Sequence, residues 1–120
     1  MGFAVDEQNE LMSSYGMEVE HEAPWPQTFL TYAEIVRRGR FAGRYAYKLG
    51  VYYADLVNHL AEGGAALVIN HGGVLELGVV ASFPDADYED WGGAVDYCEG
   101  ARLSWNEGKF VNEELLRVSK

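Results

Sequence analysis

The chain has 120 residues, with nine Lys and Arg against nineteen Asp and Glu and a net charge of −10. That length fits one domain, residues 1–120, burying roughly two-thirds of its unfolded surface, and the acidic balance argues against general binding to nucleic acid or an anionic membrane. No apolar run approaches the roughly 18 residues of a membrane span, and Asp6, Glu7 and Glu10 stand where a basic leader would be, so a cytoplasmic protein is expected.

Met1 to Val5 reads as a short extended piece entering an acidic stretch. Residues 17–27 read as an irregular loop, because Pro24, Trp25 and Pro26 bar a helix from crossing them. From Thr28 the apolar positions Phe29, Ala33 and Val36 follow helical spacing, and Thr31 with Glu34 offers an alternative capping box. This helix is expected to end near residues 39–43. A longer helix is expected from about Arg44 to Glu62, with Leu49, Tyr53, Leu56 and Leu60 on one face and Gly63-Gly64 as its stop.

A buried strand is expected at 65–70, from the apolar run Ala65-Ala66-Leu67-Val68-Ile69. A helix follows from about Gly73 to Ser82 and is ended by Phe83-Pro84. Residues 85–90 form an acidic loop, and residues 94–105 read as a strand that Gly100 interrupts with a bulge. Asn106-Glu107-Gly108 turns the chain into a second strand from Lys109; Glu114 to Val118 either extend it, the preferred reading, or form a last helical turn. The expected fold class is therefore layered α/β, with a mixed sheet, flanking helices and a C-terminal β-hairpin.

Asn70-His71-Gly72-Gly73 is the most informative stretch, since it sets a histidine at the junction of an expected strand and helix. Open N–H groups of a first helical turn carry partial positive charge, which points to anion or phosphate binding by His71, Gly72 and Gly73. The competing reading is a tight turn in which the glycines only let the backbone bend. Arg37, Arg38, Arg40, Arg44 and Lys48 gather five of the nine basic residues within twelve positions. Arginines hold phosphate bidentately, although a solvated helix face gives the same pattern. Glu18, Glu20, His21 and Glu22 are too close along the chain to converge readily on a metal, so neither a metal nor a cofactor is expected. Cys98, the single cysteine, excludes an intrachain disulfide and reads as a buried, inert thiol.

Leu67 to Glu76 resembles the second-histidine motif of the histidine phosphatase superfamily, the phosphoglycerate mutase-like proteins, and Asp96-Tyr97-Cys98-Glu99-Gly100 is similar to that family more loosely. The resemblance implies a three-layer α/β fold and phosphoryl transfer through a phosphohistidine, on a small phosphorylated metabolite or inorganic phosphate. It makes His71 the catalytic second histidine, which contacts the transferring phosphoryl group, and Arg37 and Arg38 loose counterparts of a substrate-binding pair. The family's nucleophile lies in an Arg-His-Gly motif, whereas the histidines here follow Glu20, Asn58 and Asn70. The chain thus resembles the later part of such a domain, inactive alone, with a non-catalytic anion-binding or interaction module as the alternative. The family's acid–base glutamate has no counterpart in Leu11 to Gly16, which leaves Glu18, Glu20 and Glu22 as candidates. A strand at 65–70 without its neighbours would need another copy to pair it, so a homo-oligomer is expected.

Overall fold

Four helices and one two-stranded sheet build the part of the chain that the computed structural model describes, residues 16–96 and 98–118. The helices are α1 (Gly16–Glu22), α2 (Phe29–Arg37), α3 (Phe41–Asn58) and α4 (Val74–Ser82), and β1 (Gly100–Asn106) pairs antiparallel with β2 (Lys109–Leu116). The class is mixed α/β. No described helix is long and apolar enough to cross a membrane. The expected start at Met1 to Val5 lies outside the described residues.

Local signals set most helix ends. Thr28 caps α2, its Oγ1 accepting the Thr31 N–H at 3.1 Å, so the Thr31–Glu34 alternative is not used. Phe29, Tyr32, Ala33 and Ile35 form the buried stripe of α2. Phe83 closes α4 just before Pro84, where a helix cannot continue. The last turn of α3 comes four residues before the expected Glu62. There the N–H groups of His59 and Leu60 fold back onto carbonyls of residues 55–57 and finish the helix ahead of Gly63.

Tertiary contacts set the rest. Residues 16–22 are helical where a loop was expected, because Val19 and the following Ala23 are buried in the core and give this turn an apolar face. Arg40, the residue before α3, makes no side-chain cap hydrogen bond to it. Glu22 at the end of α1 supplies the cap, its carboxylate accepting the Phe41 N–H at 3.1 Å and the Ala42 N–H at 3.0 Å. A negative charge on free N–H groups at a helix start is favourable twice, as hydrogen bond and as complement to the helix dipole.

Helix α4 lies at the centre, with Val74, Glu76, Leu77, Gly78, Val79 and Val80 all buried. Tyr53 of α3 packs so closely on it that a Cβ at Gly78 would stand 2.5 Å from the ring. On the other side Phe29, Tyr88 and Trp91 form an aromatic cluster, the last two with ring centroids 4.4 Å apart, and this fixes the loop after α4 against α2.

The C-terminal hairpin turns on Glu107 and Gly108, with φ of 51° and 83°, the paired positive values of a type I′ turn. The strand β1 begins at Gly100 rather than 94. The irregularity in the ladder is at Val111, which stands unopposed between Ser104↔Asn112 and Trp105↔Phe110, and not at Gly100. Phe110 packs edge-on to Trp105 and against Phe83, which docks the hairpin on the end of α4.

The expected strand at 65–70 and the mixed sheet are not found among the described residues, whose only sheet is the hairpin. A groove of about 890 Å³ separates residues 60–68 from residues 101–107 of the hairpin, so the segment has no ladder partner there. Leu67 and Ile69 are 68% and 78% exposed instead of buried. Cys98 is likewise exposed, in a turn with φ of 63°.

The cap across α1 and α3 carries a prediction. Glu22→Ala should lower stability by about 1–2 kcal/mol in urea unfolding, the cost of a lost helix cap, and Glu22→Gln should recover most of it. An unchanged midpoint for Glu22→Ala would show that the cap contributes nothing.

Candidate functional site

The turn His71-Gly72-Gly73 is shaped by what lies beneath it. Gly73 caps α4 at φ 89° and ψ −56°, a conformation that side chains resist. Gly72 lies against the Trp25 indole, and a Cβ there would stand 2.5 Å from Nε1. Below both is Glu76, fully buried. Its Oε1 accepts the Gly73 N–H at 2.9 Å and its Oε2 accepts the Trp25 Nε1–H at 3.0 Å. The Val95 N–H also donates to this carboxylate. Burial pushes the Glu76 carboxyl above its ordinary value, and these hydrogen bonds, with one from its own N–H, pull against that shift.

One carboxylate thus ties three segments, and the same three wall a cleft of about 440 Å³. Trp25 forms one side, Asn70, His71 and Gly72 a second, and Val95, Asp96, Cys98 and Glu99 the third. Asn70 also anchors the turn to α3, donating to the Tyr53 hydroxyl at 2.8 Å. The third wall is fixed by Arg117, whose guanidinium donates to the Trp91, Gly93 and Ala94 carbonyls and to Glu99 Oε1 at 3.1 Å. N–H groups of Asp96 and Val118 also reach Glu99, and together with Arg117 they hold its carboxyl below the ordinary range.

His71 is exposed on the cleft wall, its Nδ1 2.9 Å from the Gly72 carbonyl, which accepts from the Nδ1–H tautomer. The Gly73 N–H, expected to face a ligand, donates inward to Glu76, and the Leu75 N–H donates to the His71 carbonyl. Gly72 keeps an N–H with no bond to a described residue.

The other residues expected at the site lie elsewhere. Arg37 donates to the Ala86 carbonyl, beyond the C-terminal end of α4, whereas His71 precedes its start; nine helical residues, about 13 Å, separate the two ends. Arg38 caps the C-terminus of α2 next to it. Glu22 caps α3, and Glu18 and Glu20 are exposed on α1, outside the cleft. The carboxylates gathered near His71 are Asp96 and Glu99, and no Lys or Arg among the described residues lines the cleft. Among the described residues no three His, Cys, Asp or Glu side chains are grouped to hold a metal ion.

Glu76, Trp25, Asp96 and Glu99 are the residues that sequence reasoning misses. Only Glu76 has a local signal, as a glutamate three positions after a helix-starting residue, the acidic half of a capping box. Comparison with protein-family models, curated proteins and solved structures gives no match to this chain.

Two outcomes follow for Glu76. Glu76→Ala leaves the Gly73, Trp25 and Val95 donors without their acceptor and should cost about 3 kcal/mol at neutral pH. Because the folded state raises the carboxyl above 4.5, it binds the proton more tightly than the unfolded chain does. The Glu76 contribution to stability is therefore largest below that pH and declines as pH rises through the folded value. Glu76→Gln should flatten this decline in denaturation curves taken across that range; a slope identical to the parent protein's would contradict the assignment.

Proposed function

We propose that this chain carries the second-histidine half of a phosphoglycerate mutase-like, histidine phosphatase-type site for a small phosphorylated metabolite or inorganic phosphate. The observation that supports it is the place of His71, on the wall of a cleft at the start of α4 beside the Gly72 N–H, which bonds to no described residue. In this reading His71 contacts the phosphoryl group and stabilises its charge, and Asp96 or Glu99 stands nearer to it than Glu18, Glu20 or Glu22 as a proton-transfer group. The layered family fold belongs to the same proposal.

Charge sets the limits of the half-site. A phosphate dianion in this cleft meets Asp96 and Glu99 without an arginine among the described lining residues, and Arg37 and Arg38 sit at the far end of α4. No Arg-His pair occurs in the chain to supply the family's nucleophile. Binding should accordingly be weak and turnover negligible. The second reading is an interaction module, favoured by the exposed apolar segment at 65–69.

Two measurements separate these readings. In a phosphate titration followed by NMR, the His71 imidazole and the Gly72 amide should shift, and the Gly73 amide, committed to Glu76, should move less. Unmoved signals at high phosphate would remove the anion site and leave the interaction module. With a generic phosphomonoester the folded protein should show no turnover above background, and turnover abolished by His71→Ala would instead make His71 a nucleophile.

A further inference from the structure

Residues 65–69 combine apolar side chains with a backbone that no described residue satisfies. Ala65, Ala66, Leu67, Val68 and Ile69 make no hydrogen bond to a described residue. Ala65 and Ala66 are both exposed, and over residues 67–70 burial alternates, with Leu67 and Ile69 exposed and Val68 and Asn70 half-buried, the period of a strand with one face turned outward. Valine, leucine and isoleucine side chains suit a pleated surface, and open N–H and C=O groups beside them form a template for pairing.

We infer that this segment is a self-pairing edge, through which two copies of the chain join by antiparallel pairing of residues 65–69 about a two-fold axis at Leu67. Charge favours a second copy over another partner. Residues 63–75 contain no Asp, Glu, Lys or Arg, the longest such run in a chain of net charge −10. Two copies that each carry a net charge of −10 meet here without like charges opposed, whereas a basic partner would find no acidic side chain in the run to recognise it.

The segment is also its own complement in size. Centred on Leu67, the register sets Ala65 opposite Ile69 and Ala66 opposite Val68, small against large along the ladder, and Leu67 against its symmetry mate.

Light scattering on the full chain tests the pairing, with a mass of twice 13.4 kDa expected at sub-millimolar concentration. Leu67→Lys with Ile69→Lys, at two outward positions that leave the core untouched, should give a monomer with an unchanged circular dichroism spectrum. Register is tested by oxidation in a Cys98→Ser background: Leu67→Cys, whose symmetry mate lies about 5 Å away, should cross-link to a dimer, and Ala65→Cys should do so far more slowly. A monomeric parent protein, a dimer that survives the double lysine variant, or equal cross-linking at 65 and 67 would each overturn the inference.

Discussion

The carboxylate of Glu76 is the interaction on which the site depends. A glutamate with no exposed surface is costly to keep unless its oxygens are satisfied, and here donors come from the turn before α4, from the Trp25 loop and from Val95. These segments are far apart in the sequence and share no sheet. What joins them is one acceptor, and the space left above it is the cleft that His71 lines. The same bond explains why the turn is a weaker anion site than a free helix start would be, since Glu76 already holds the Gly73 N–H.

Two further charged groups work in the same way at a distance. Glu22 ends one helix and begins another, and Arg117 gathers three carbonyls and Glu99 to hold the loop from Trp91 to Glu99 against the end of β2. Glu99 and Glu76 face opposite solvation problems. Donors around Glu99 favour its charged form, so its contribution is present above the ordinary carboxylate range and is lost as pH falls through the lowered value; burial of Glu76 gives the reverse trend.

The elements that could be read from the sequence are those written in a few adjacent residues. Thr28 with its Oγ1, Phe83-Pro84 and Glu107-Gly108 each fix a boundary by local chemistry, and the apolar spacing around Phe29 and Leu49 gives the buried faces of α2 and α3. Helix α1 is legible only once its burial of Val19 and its cap on α3 are known. Residues 65–69 have the composition of a buried strand, yet burial needs neighbours, and none of the described residues pairs with them. At the site, the position of His71 before α4 follows from spacing. The five clustered basic residues do not report which end of α4 they will reach, and Asp96 and Glu99 come to the cleft through a turn and through Arg117, 18 residues beyond Glu99.

The central claim, that Glu76 gathers the walls of the cleft, is tested most directly at the Trp25 indole. Trp25 is 44% exposed, so an indole N–H free of Glu76 would exchange with solvent at close to the rate of an unstructured tryptophan. Hydrogen exchange followed by NMR should find the Trp25 Nε1–H strongly protected in the parent protein and released in Glu76→Ala. Exchange of that proton at the unprotected rate in the parent protein would contradict the account, because the carboxylate would then not be holding the wall that Trp25 provides.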